Sequence, residues 1–224
     1  MPEIRITELE PDDGEGLDHV YVLYAASILR AEQRPEAEFR ALIRRPDYRF
    51  VVARLDEAII GFAVSWVPEG GDLWLFEYAA VSPEARGNKI GSHLLLASRQ
   101  LIGIERTALI EVDANTGSEE QAKRLEFYKR LGCRELRGLE YLLPLDAFGQ
   151  PPPMRMLAMI HPDVTSVPVM VVEEWLRRIY AEAYGKGLDD PRLARMIDLR
   201  FTPDLHFQPD ASYDEARHID ELLA

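Results

Sequence analysis

Val81-Ser82-Pro83-Glu84-Ala85-Arg86-Gly87-Asn88-Lys89-Ile90-Gly91 is the stretch around which the chain is organised. The run before it, Leu73-Trp74-Leu75-Phe76-Glu77-Tyr78-Ala79-Ala80, is apolar and strand-like. After it, Ile90, Leu94, Leu95, Ala97, Leu101 and Ile102 recur at the spacing of one helix face. A strand, a turn containing Gly87 and Gly91, and a helix together aim free backbone N–H groups and the positive end of a helix dipole at one point. That arrangement suits a phosphate, and a phosphorylated cofactor is expected there.

Working backwards, residues 3–9 alternate as a first strand and Pro11-Asp12-Asp13-Gly14 closes it as a turn. Helices are expected from Leu17 to Leu29 and from Glu36 to Arg44, the second with Pro35 at its start. Strands at Arg49 to Leu55 and Ala58 to Val67 form a hairpin through Asp56-Glu57, and Pro68-Glu69-Gly70-Gly71-Asp72 turns the chain into the strand that feeds the loop. Working forwards, Thr107 to Ala114 reads as a strand. Ser118 with Gln121 forms a capping box for a helix that ends at Gly132. Two more strands are expected at Glu135 to Leu143 and Met154 to Ile160, on either side of Pro151-Pro152-Pro153. Three helices, Val169 to Tyr184, Pro191 to Leu199 and Tyr213 to Leu223, complete the chain.

Arg86-Gly87-Asn88-Lys89-Ile90-Gly91 resembles the acyl-CoA-binding motif of the GNAT superfamily of N-acetyltransferases, Arg/Gln-x-x-Gly-x-Gly/Ala. Lys89 stands where the family has its middle glycine. Some forty residues on, Phe127-Tyr128-Lys129-Arg130-Leu131-Gly132-Cys133 resembles the family's second signature, with Cys133 in place of phenylalanine and Gln121 in place of asparagine. The resemblance implies an α/β (α+β) fold with a mixed, largely antiparallel sheet flanked by helices. It divides the chain into an acetyltransferase domain over 1–161 and a helical C-terminal extension over 162–224. The extension carries no catalytic motif and is expected to pack on the core or another subunit, or else to act as a lid.

The same resemblance implies that acetyl-CoA is the cosubstrate. Arg86, Gly87, Asn88, Lys89, Ile90, Gly91 and Ser92 would hold its pyrophosphate, Lys89 offering its backbone N–H if it takes helical dihedrals, while Ala79 and Val81 would hold the pantetheine arm. Tyr128 matches the family's general acid toward the leaving thiolate. Helical spacing alone makes it a core tyrosine, one turn from Leu125 and Leu131. For the base, strand alternation puts Leu75, Glu77, Ala79 and Val81 on one face. Glu77 is therefore the first candidate, its alternative role being a structural partner for an arginine. Glu111, on the next strand, is the alternative base and, with Tyr24, a candidate for contacting the acceptor. Tyr24 also fits the apolar stripe of its helix as a packing residue.

Composition narrows the partners. The net charge of −13 disfavours a nucleic-acid backbone and favours a cationic amine or basic peptide. With one cysteine, Cys133, expected to be buried, and scattered histidines, neither a disulfide nor a metal site is expected. No long apolar run or signal-like N-terminus is present, so a cytoplasmic location and no membrane association are expected. A homodimer is compatible with the added helices. Two alternatives stand beside an acetyltransferase: a non-catalytic CoA-binding or interaction protein, and an N-acyltransferase using a longer acyl-CoA.

Overall fold

A computed structural model describes residues 4–114, 117–197 and 205–206. Its strands are mostly antiparallel and flanked by helices, and the chain forms two compact units.

The first unit comprises residues 1–106 and 145–150. Strand β1 (Ile4–Glu8) pairs antiparallel with β2 (Tyr48–Leu55), β2 with β3 (Ala58–Trp66), and β3 with β4 (Leu73–Val81). The β2–β3 hairpin turns at Asp56, which adopts φ 53°. Helix α1 (Gly14–Ser27) starts where the Asp13 carboxylate accepts the Gly16 N–H at 2.7 Å. It buries Leu17, Val20 and Tyr24, and α2 (Glu36–Leu42) buries Phe39 and Leu42. These side chains meet the sheet as an aromatic cluster in which Tyr24 stacks on Phe39 at 3.9 Å and meets Tyr78 edge-on at 5.0 Å. Helix α3 (Ile90–Ile102) lies over Gly61, where a Cβ would come within 3.2–3.3 Å of the Ala80 carbonyl, Leu94 and Ile90. The glycine allows the helix that follows the loop to sit down on β3.

The second unit comprises residues 107–144 and 151–224. Strand β5 (Thr107–Asp113) and the short β6 (Arg134–Glu135) both pair antiparallel with β7 (Met154–Met159). Helix α4 (Glu119–Arg130) is capped as expected, with the Ser118 Oγ accepting the Gln121 N–H at 3.1 Å. It closes at Gly132, φ 83°, where the Cys133 N–H returns to the Tyr128 carbonyl at 3.0 Å. Cys133 is buried.

The strand expected over Glu135 to Leu143 is shorter than its pattern suggests. Pairing stops after Glu135, a turn forms at Gly138 (φ 86°), and contact with β7 resumes only as a bridge between Tyr141 and Met154. Leu136, Leu139, Tyr141 and Leu143 are nevertheless all buried. The alternation therefore reports burial without a continuous ladder.

After β8 (Ser166–Val167), helix α5 (Val169–Arg178) runs into a π-helical turn at Ile179–Ala183. The expected helix from Val169 to Tyr184 is thus continuous, with its last turn widened. Helix α6 (Pro191–Ile197) follows. The helix expected over Tyr213 to Leu223 lies outside the described residues. Among the described residues no helix is long and apolar enough to cross a membrane.

Candidate active site

The loop that opens the sequence leaves β4 through a single 3₁₀ turn, Pro83–Ala85, in which the Ala85 N–H donates to the Ser82 carbonyl at 3.0 Å. Gly87 then takes φ 87°, which reverses the chain toward α3. Lys89 does not take helical dihedrals. It does not enter the helix but adopts the left-handed conformation, φ 59° and ψ 10°, as the residue before α3. A glycine takes that conformation freely, whereas a side chain there costs about 1–2 kcal/mol. Lys89 therefore holds a backbone path that a glycine would follow freely, at the expense of local strain.

The consequence lies in the backbone donors. Among the described residues, the N–H groups from Gly87 to Ser92 donate to no protein acceptor, and the first bond back into the loop comes from the His93 N–H to the Lys89 carbonyl at 3.1 Å. The Asn88 side chain braces the turn by donating to the Ala85 carbonyl at 3.2 Å. Arg86 and Lys89 are exposed beside these donors. Open N–H groups at the head of a long helix, with two cations alongside, fit a pyrophosphate.

Glu77 projects from the middle of β4 into a closed polar cluster. Its side chain is fully buried. One oxygen accepts from Arg34 Nε at 2.9 Å and Nη2 at 2.7 Å, and the other accepts from the Tyr48 hydroxyl at 2.9 Å. Burial, then the Glu77 charge, pushes the Tyr48 phenol well above its usual range, so it remains a donor. Arg34 is held in turn by its own backbone, whose N–H donates to the Tyr24 hydroxyl at 2.7 Å. Tyr24 is wholly buried, with its ring in the aromatic cluster and its hydroxyl on Arg34. Of the two roles open to each residue from sequence, the geometry gives Glu77 an arginine partner and Tyr24 a place in the core. Ala79 and Val81 are half-buried at the end of β4.

In the second unit Glu111 lies in β5, half-buried, and its two oxygens accept from two phenols, Tyr141 and, at 2.6 Å, Tyr184. Two residues along, Asp113 pairs with Arg124 of α4 at 2.8 Å. Tyr128, in the last turn of α4, packs its ring against Phe127 at 5.0 Å. Its hydroxyl makes no hydrogen bond among the described residues. Burial is the main cause that raises this phenol far above its ordinary range, so it is a protonated donor at neutral pH. Arg34, Tyr141 and Tyr184 were not singled out from sequence. Arg34 offers no local signal, being 43 residues from its partner, and Tyr184 is 73 residues from Glu111. A hint of the latter is the Tyr180/Tyr184 pair, four residues apart on the apolar stripe of the helix.

The acetyltransferase (GNAT) domain family matches residues 46–135. Among solved structures, a protein of Bacteroides thetaiotaomicron assigned to the GNAT acetyltransferase family is similar over 82% of this chain and 99% of its own. The two are 20% identical with a TM-score of 0.67. NAA60 of Arabidopsis thaliana, solved in complex with acetyl-CoA, is similar over 70% of this chain and 98% of its own, at 18% identity and a TM-score of 0.53. At these identities the likeness is one of fold. Separately, a 65-residue stretch is 45% identical to ribosome-binding factor A of Hyphomonas neptunium, covering 28% of this chain and 48% of that protein. The chain thus spans about half the length of this curated relative.

Proposed function

We propose, from the match of residues 46–135 to the acetyltransferase (GNAT) domain family, that the chain is a GNAT acetyltransferase and transfers an acetyl group from acetyl-CoA to a primary amine of a cationic acceptor. The observation that carries this reading is the row of open N–H groups from Gly87 to Ser92 following β4, flanked by Arg86 and Lys89. These residues would hold the pyrophosphate, and Ala79 and Val81 the pantetheine arm. When bound, acetyl-CoA supplies an activated acyl group on sulfur.

The proton acceptor is the first role to assign. Glu77 is ion-paired with Arg34 and has no exposed side-chain surface, which favours its holding Arg34. Glu111 retains exposed surface, and we assign it proton uptake from the attacking amine. As the C–N bond forms and the C–S bond breaks, Tyr128 gives its phenolic proton to the departing sulfur. Its hydroxyl has no competing partner among the described residues. The net charge of −13 favours cationic acceptors such as polyamines, aminoglycosides and basic peptides. Amine-dependent thiol release from acetyl-CoA across that panel tests the activity. Tight acetyl-CoA binding with no amine-dependent release, from acetyl-CoA or longer acyl-CoAs, would favour the non-catalytic alternative.

The likeness to ribosome-binding factor A favours a second reading of the partner. The matched stretch is 65 residues, 28% of this chain. In this reading that stretch brings the enzyme to the ribosome, and the acceptor is an amine of a ribosomal protein. The full chain should then pellet with purified ribosomal subunits at physiological salt. A chain that stays in the supernatant at both low and physiological salt would reject the reading.

A further inference from the structure

Tyr184 lies well outside residues 46–135, yet it reaches the carboxylate to which the chemistry above assigns the proton. The route is the π-helical turn. Its closing bond runs from the Tyr184 N–H to the Ile179 carbonyl at 3.1 Å, and the widened turn brings two phenols to one side. Tyr180 donates to the Leu142 carbonyl, and Tyr184 donates to Glu111 Oε2 at 2.6 Å. Tyr180 thereby ties the helix to the residue beside Tyr141, whose own phenol donates to Glu111 Oε1. Tyr141 and Tyr184 are both buried, at 0% and 8% exposure, while Glu111 is half-buried. The outcome is a half-buried carboxylate with one phenol fixed on each oxygen.

We infer that Tyr184, together with Tyr141, is a positioning residue for Glu111: the two phenols aim the carboxylate and keep it ionised when the acceptor arrives. This rests on the assignment of Glu111 as proton acceptor. The physical reason is that a hydrogen bond donated to a carboxylate favours its charged form. The helical segment after the acetyltransferase domain therefore sets the pH range of the reaction as well as packing against β5. Among the described residues of this unit, Asp113 pairs with Arg124, Glu135 with Arg155, and Asp190 with Arg192, the last pair acting with Glu111 on Tyr180 and Lys186 acting on Asp190. Tyr184 is a partner in none of these pairs.

The test compares wild type, Tyr184→Phe, Tyr141→Phe and Glu111→Gln as full-length chains. Two readouts are used, kcat/KM against pH and the 13C carboxyl titration of Glu111. Losing one donor should raise the proton affinity of Glu111, so the acidic limb of the profile and the NMR titration should both move up by about one pH unit in each Phe variant. Activity above that limb should return to within about threefold of wild type, while Glu111→Gln should lose about 100-fold or more at every pH. A drop that is uniform in pH, or an unmoved NMR titration in the folded Phe variants, would overturn the inference. An active Glu111→Gln would instead overturn the assignment of Glu111. Because the carboxyl titration needs no turnover, it decides the positioning question even if no amine acceptor is found.

Discussion

Glu77→Ala is expected to lower folding stability by about 3–5 kcal/mol, read from the urea midpoint, because it leaves Arg34 as a buried charge without its carboxylate. Arg34 is only 6% exposed at its side chain and takes two hydrogen bonds to one Glu77 oxygen. Truncation also strips Tyr48 of its acceptor. The loss should shrink when both charges go: Arg34→Met with Glu77→Leu should recover most of the stability, since the penalty belongs to the orphaned partner more than to the missing pair. Were Glu77 a proton carrier at the reacting amine, the pattern would differ. Its removal would abolish turnover with little cost to folding. A Glu77→Ala protein as stable as wild type would reject the anchoring role.

Tyr128→Phe is expected to lower kcat by about 100-fold or more while leaving acetyl-CoA affinity within about twofold of wild type. Among the described residues its hydroxyl bonds to nothing, so removing it breaks no internal contact and stability should hold or rise slightly. This separates the residue from an ordinary core tyrosine such as Tyr24, whose hydroxyl accepts the Arg34 N–H. The pH dependence follows from the direction of its shift. Burial holds the proton on Tyr128 beyond the range of an exposed phenol, so the donor is fully protonated below that range. Its ionisation should therefore impose no fall in rate between pH 6 and about pH 9. Unchanged kcat in the variant would remove Tyr128 from the reaction.

The order of elements was legible because each carries its own local signal. Hairpin turns at Asp56-Glu57, the Ser118 cap and the glycine stop at Gly132 act within a few residues, and the loop after β4 could be located to the residue. What was not legible is non-local. The Arg34–Glu77 and Tyr184–Glu111 pairs join residues far apart in the chain, and no periodicity announces them. Lys89 shows a subtler limit. Side chains avoid the left-handed region, so helical dihedrals were the natural expectation, and only the requirements of the loop path override that preference. The alternation from Glu135 to Leu143 marks residues that are buried, but Gly138 turns the backbone out of the ladder.

Acetyl-CoA binding by calorimetry, wild type beside Gly87→Glu, tests the central claim most directly. Nothing lies within 4 Å of where a Cβ at Gly87 would be, so the substitution does not act by steric filling. It acts by forcing a side chain onto φ 87° and by setting a carboxylate among N–H groups meant for a pyrophosphate. The account predicts micromolar binding by wild type and at least a 100-fold loss in the variant. Equal binding by both proteins, or none by wild type, would contradict it.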